Sequence, residues 1–301
     1  LLLTAFLWGT AFIFQKDATD HLDAFSFNFL RFAIAIPALF ALKILPQKLF
    51  MPDKGDIHSQ RRLRHSAAFI GIGAGVLMFL GISLQQAGLT YTTAGKSGFL
   101  TSLYIIIVPI IGLMIGQRCR LEVWVGALIT VVGIYLLGKG EAGNIESQFN
   151  RGDVITLICA FAWAAQVVWL GVFARYANVL QIALIQMTTV AALSGTAMLV
   201  VAGQFPSGEV IWHMRYAIVY TGVISAAVAF TLQILGQRYV PPTNAALIMS
   251  TEAIFAMLGG IIFRHEAVTV TAFIGCSLIM TGIILAQLQG RVFRRRRLFR
   301  H

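Results

Sequence analysis

Gly126-Ala127-Leu128-Ile129-Thr130-Val131-Val132-Gly133-Ile134 is an apolar run with two glycines seven residues apart. It returns 149 positions later as Gly275-Cys276-Ser277-Leu278-Ile279-Met280-Thr281-Gly282-Ile283. Seven residues make two helical turns, so each glycine pair shares one face and lets a second helix approach closely. Other fragments repeat in the same order. Tyr91-Thr92-Thr93-Ala94 has its counterpart in Tyr239-Val240-Pro241-Pro242, displaced by 148. Leu7-Trp8-Gly9 is matched by Ala162-Trp163-Ala164. Together these matches indicate an internal duplication.

The repeated unit is a membrane unit. Of 301 residues, 58% are hydrophobic and 12% charged, with a mean hydropathy of +0.80. A soluble domain carries roughly a quarter charged residues. The apolar residues come in blocks of about 17–23, the length of helix that crosses a hydrocarbon core of about 30 Å. Lipid offers backbone amides no partner, so such blocks must be helices. Ten are expected, at 1–15, 25–45, 67–88, 97–116 and 122–138, then 153–173, 181–203, 215–237, 245–263 and 269–288. The expected fold is therefore an all-α membrane protein with ten transmembrane helices arranged as two five-helix repeats. The repeats cover 1–140 and 150–290, and a basic tail covers 291–301. Leu1 already lies inside a helical run, so the first helix is expected to lack its start.

The net charge of +11 does not indicate a nucleic-acid partner, because its distribution matches a membrane topology. One basic cluster is Lys43, Lys48, Lys54, Arg61, Arg62 and Arg64, and the other is the tail from Arg291 to Arg300. With both termini in the cytoplasm, cytoplasmic segments hold 16 basic residues and the opposite side six. That bias orients the chain and places its basic ends beside anionic lipids. Five spans per unit means that the second copy enters from the opposite side. The repeats are then inverted about an axis in the membrane plane, an arrangement built for alternating access.

Phe29-Leu30-Arg31-Phe32, the stretch from Tyr91 through Phe99-Leu100-Thr101-Ser102-Leu103-Tyr104 to Val108-Pro109, and Gly126 to Leu137 carry a resemblance in the first half. Ser250-Thr251-Glu252, Glu266 and Gly275 to Ile283 carry it in the second. In order and spacing the chain resembles the EamA-type branch of the drug/metabolite transporter superfamily. The resemblance implies export of amino acids, other metabolites or amphipathic compounds across a bacterial inner membrane, with no cofactor. The chain departs from the family pattern in two places. Ala253 follows Glu252 where many relatives have proline, and Gln117-Arg118 stands where many have an acid.

Glu252 lies seven residues into the ninth helix, about 10 Å deep at 1.5 Å per residue. An ionised acid there costs roughly 2.5–3.5 kcal/mol on insertion scales. It must face a cavity or a partner or hold a proton, which makes it the candidate for proton coupling as well as solute binding. Tyr104 is its counterpart in the fourth helix. Arg31, two turns into the second helix, and Lys96, opening the fourth, are candidate carboxylate ligands, though long basic side chains near helix ends also snorkel. Trp8 and Trp163 occupy matching places and are candidate flat walls of a central cavity. Gln166, one turn beyond Trp163 on the same face, is the amide expected to join them, with interhelical bonding as the alternative.

These features point to a secondary transporter of small solutes, with proton antiport as the preferred energy source. The chain has no phosphate-binding loop for ATP-driven pumping and no filter segment or charged ring for a channel. No metal-ligand spacing is present, and Cys119, Cys159 and Cys276 are scattered singly. The competing reading is a channel-like pore or uniporter. An enzyme has less support, since no His, Asp or Cys cluster lies within the spans. Lipids and a small-molecule solute are the expected partners, and ten spans suffice to enclose a pathway in a monomer.

Overall fold

The computed structural model describes residues 1–51, 66–91, 94–117, 119–142, 150–201, 203–264 and 270–296. The loop bases from Lys54 to Arg64, Thr92, Thr93, Arg118, Glu266 and the tail beyond Arg296 lie outside them. Among the described residues the chain is entirely helical. Long helices are α1 (Leu2–Ala18), α2 (Ala24–Ala41), α3 (Ser66–Leu89), α6 (Leu121–Ala142), α7 (Arg151–Phe173), α8 (Val179–Val201) and α14 (Val270–Arg296). Shorter pieces are α4 (Ala94–Ser102), α5 (Tyr104–Met114), α9 (Gly208–His213), α10 (Arg215–Val219), α11 (Phe230–Gln237), α12 (Pro242–Met249) and α13 (Glu252–Arg264). A π-helix at Tyr220–Ala229 joins α10 to α11.

Among the described residues five helical stretches are long and apolar enough to cross a membrane: Ala24–Ala41, Ala67–Leu89, Arg151–Tyr176, Val179–Val201 and Arg215–Gln237. Large apolar side chains such as Leu128, Phe161, Leu199 and Phe273 are exposed on the outside of the bundle. Water would not tolerate that surface, whereas lipid matches it. The helix starts are set by local polar chemistry. Asp23 accepts from the amides of Phe25 and Ser26 at the head of α2. Asn150 and Asp153 form a reciprocal capping box at the head of α7.

The expected helices lie close to the observed ones, but three are internally irregular. The fourth divides at Leu103, the ninth at Ser250–Thr251, and the eighth widens into the π-helix. No glycine or proline sits at either division. At the ninth, Ser250 Oγ bonds back to the Leu247 carbonyl and Thr251 Oγ1 to the Ile248 carbonyl, both at 2.7 Å. These hydroxyls compete with the backbone ladder. The ninth helix therefore breaks without the proline that Ala253 replaces. In the π-helix, Thr221 Oγ1 bonds to the Ala217 carbonyl at 2.6 Å. Gly222 also lies so close to α2 that a Cβ there would sit 2.6 Å from the Arg31 carbonyl oxygen.

Packing joins the first and second halves of the chain throughout. α6 lies along α14, α2 along α8, and α1 along α13. α3 contacts α7 and α8, while the π-helix contacts α1 and α2. The glycines at 126, 133 and 282 make the α6–α14 seam. A Cβ on Gly126 would meet the Gly282 carbonyl at 2.6 Å, and one on Gly133 the Gly275 carbonyl at 2.7 Å. Among the described residues three buried apolar clusters result, the two largest around α2, α3, α8 and α11 and around α5, α6, α7, α12 and α14, the third where α1 ends and α2 and α10 begin. Trp8 and Trp163 pack against both large clusters, which puts them on the seam between.

Candidate functional site

The site is built on the helix interruptions. Each is a tight turn: Leu103 N–H donates to the Leu100 carbonyl and Ile106 N–H to that of Leu103. Thr251 N–H donates to the Ile248 carbonyl and Ala253 N–H to that of Ser250, so the chain crosses the irregularity with its amides bonded, as lipid requires. Tyr104 opens α5 and Glu252 opens α13. Both line one internal cavity with Trp8, Phe12, Arg31 and Trp163. Its volume is about 50 Å³.

One wall is aromatic. Phe230 packs against both indoles, with ring centroids 4.6 Å from Trp8 and 6.0 Å from Trp163, the latter pair nearly parallel at 9°, and the indoles lie 6.4 Å from each other. The Trp8 indole N–H donates to the Ser225 carbonyl of the π-helix at 3.3 Å, which fixes its plane. Trp163 rests over Gly81, where an added Cβ would lie 3.1 Å from the ring. Across the cavity, Gln85 donates to Thr101 Oγ1 at 3.3 Å.

Glu252 is partly exposed to the cavity and makes no hydrogen bond or ion pair among the described residues. Arg31 is buried, at 4% exposure, with Nε and Nη1 unpartnered. Its guanidinium lies 4.7 Å from the Phe32 ring centroid and 5.5 Å from that of Phe27.

Five of the residues singled out from sequence thus converge: Trp8, Arg31, Tyr104, Trp163 and Glu252. Gln166 is fully buried one layer behind. It exchanges hydrogen bonds with Gln233, at 3.4 and 3.0 Å, and Gln233 faces the cavity in its place. Lys96 lies in the first turn of α4, and its side chain is outside the described structure. Phe12, Ser225 and Phe230 also line the cavity and were not anticipated. Phe230 looks in sequence like any other apolar span residue.

At the end of the bundle where α8 begins and α11 ends, the packing is tight. Arg238 Nη1 donates to the Met51 carbonyl at 2.6 Å, and Nη2 to the Ala177 and Phe50 carbonyls at 2.7 and 3.2 Å. Phe50 also accepts from the Val179 amide at 3.0 Å. At the opposite end, among the described residues, Asn150 Nδ2 donates to the Tyr91 carbonyl at 3.1 Å, and Ala18, Leu22, Phe27, Leu30, Met214 and Ile218 form a buried apolar cluster.

Residues 1–139 and 150–288 each match the EamA-like transporter family. The chain is 30% identical over 291 residues to an "uncharacterized transporter" of Archaeoglobus fulgidus, covering 96% of this chain and 85% of that protein. To the "uncharacterized transporter YoaV" of Bacillus subtilis it is 21% identical over 285 residues, 93% of this chain and 92% of the relative. A protein crystal structure superposes with a TM-score of 0.73 at 21% identity, over 97% of this chain and 96% of its own. That likeness concerns the fold.

Proposed function

The chain belongs to the EamA-like transporter family, within the drug/metabolite transporter superfamily, and on that premise we propose that it moves small metabolites by alternating access through the cavity between its halves. Family membership makes it a membrane transporter and not an enzyme. Export across the plasma membrane, with amino acids or related amphipathic solutes as cargo, is the reading we favour.

The observation that carries it is the cavity bordered by two interrupted helices at Tyr104 and Glu252, one from each half. An inverted pair of five-helix repeats explains the packing. Exchanging the halves turns the α3–α7 contact into that of the π-helix with α1, and the α3–α8 contact into that of the π-helix with α2. The α6–α14 and α2–α8 pairs map onto themselves. Ten spans with both termini cytoplasmic put Arg238 and its three carbonyls inside. The Arg238 bonds at that end support a conformation closed to the cytoplasm.

Trp8, Arg31, Tyr104, Trp163 and Glu252 line the solute path, with Gln166 holding Gln233 in place and Lys96 at the outer mouth. Glu252 is the proton-coupling residue. Among the described residues no ion pair reaches its carboxylate, and protonation neutralises it when the cavity closes and water leaves. Comparing solutes released by cells that overproduce or lack the chain tests the assignment. A solute enriched in the medium with the chain and depleted without it is expected, and unchanged release of all small solutes would refute it.

A further inference from the structure

We propose that Arg31 is the seat of a carboxylate on the transported solute, beside an aromatic wall that takes the solute's apolar part; this rests on the transport reading above. Four observations converge. Arg31 is 4% exposed, so it does not snorkel to the membrane surface. Its Nε and Nη1 atoms have no partner, and no carboxylate among the described residues pairs with it. A cation left in that state inside a bundle is costly, and breaking such pairs in proteins typically destabilises by several kcal/mol. Yet Arg31 lines the cavity, and a carboxylate entering there would meet its guanidinium once Nε and Nη1, now closed off by protein, turn toward it.

The chemistry narrows the ligand. A guanidinium is a planar fork whose neighbouring nitrogens match the two oxygens of a carboxylate. The rings of Phe32 and Phe27 lie against that fork. Among the described residues lining the cavity Arg31 is the sole cation, which suits one negative charge better than a phosphate dianion. The rings of Trp8, Phe230 and Trp163, the first tilted against the other two, supply an apolar wall in the same space.

Three probes of one shape separate the terms: 3-phenylpropionate (anion), 3-phenylpropionamide (neutral) and phenethylamine (cation). Melting of the purified full chain is measured with each. The anion is expected to stabilise the wild type most, the amide weakly and the amine least. Arg31→Gln weakens the anion at least about tenfold, as loss of a charge-assisted pair implies, and leaves the amide response unchanged. Arg31→Lys, which keeps the charge and loses the fork, falls between and serves if the glutamine variant does not fold. No response to 3-phenylpropionate, an equal response to phenethylamine, or parallel loss of the amide response in Arg31→Gln would each overturn the assignment. Counterflow of labelled 3-phenylpropionate into proteoliposomes keeps the two readings apart. Binding without uptake contradicts transport alone, and uptake unaltered by Arg31→Gln contradicts the Arg31 seat alone.

Discussion

Tyr104 and Glu252, 148 residues apart in sequence, each open the second piece of an interrupted helix, and both face the same cavity. The first-turn amides after each are bonded back across the interruption, Ile106 and Ile107 to the Leu103 carbonyl, Ala253 to that of Ser250, and Ile254 and Phe255 to that of Thr251. The duplication thus puts a phenol and an acid at equivalent points. One half offers a neutral group where the other offers a titratable one.

That asymmetry predicts the behaviour of Glu252→Gln. The amide keeps the size and hydrogen-bonding capacity of a protonated acid but cannot release a proton. In proteoliposomes, solute movement driven by an imposed pH gradient should be abolished, while exchange between solute pools without a gradient persists. A gradient response equal to that of the wild type would show that the coupling proton is held elsewhere.

Gln166 and Gln233 form a closed amide pair. Replacing one with leucine leaves the other's buried amide unsatisfied, a loss of about 1 kcal/mol or more. The double leucine variant should recover part of it. Melting of the two single variants and the double variant gives the coupling, and strictly additive losses would mean that the pair contributes nothing as a pair.

Glycine spacing was the clearest sequence signal, and the α6–α14 seam shows why. No Cβ fits at Gly133, where the Gly275 carbonyl and the Ile279 amide would lie at 2.7 and 2.8 Å. Gly133→Leu should destabilise the chain by about 1–3 kcal/mol through overpacking, visible as a lowered melting temperature. Val132→Leu, on an exposed surface, should not.

Much of the fold was legible because lipid leaves the chain few choices. Hydropathy located the helices to within a few residues, and the repeated fragments revealed the duplication. The breaks were less visible. Hydroxyl back-bonding at Ser250 and Thr251 needs only residues that are also common in unbroken membrane helices, and nothing at Leu103 marks a division. The π-helix is equally silent, since it depends on α2 crossing at Gly222. Of the site, Glu252 and the tryptophans could be found by chemistry and by repeat position. Phe230 could not, because only the fold places it against them, and Gln166 shows the limit of face-based reasoning. It shares Trp163's face but turns to Gln233.

Arg238 offers a separate test of the closed end. Arg238→Ala removes donors to three carbonyls, partly exposed, with an expected cost of about 1–2 kcal/mol. It should also raise the share of molecules open at that end. Arg238→Lys cannot bridge all three acceptors and should behave similarly, with a smaller loss. Unchanged maleimide labelling of a cysteine placed at Leu49 would show that the contact does not hold that end shut.

Alternating access is tested most directly by measuring both ends of the bundle in one protein. Spin labels at Tyr91 and Glu209 report one end, and labels at Leu49 and Tyr239 the other. All four positions are exposed, and Cys119, Cys159 and Cys276 would be replaced beforehand. Distance distributions in lipid nanodiscs are compared between the wild type and Glu252→Gln. Carrier behaviour predicts reciprocal change, with the Tyr91–Glu209 distance shortening as the Leu49–Tyr239 distance lengthens. Distances that stay fixed, or that lengthen together at both ends as in an opening pore, would contradict it.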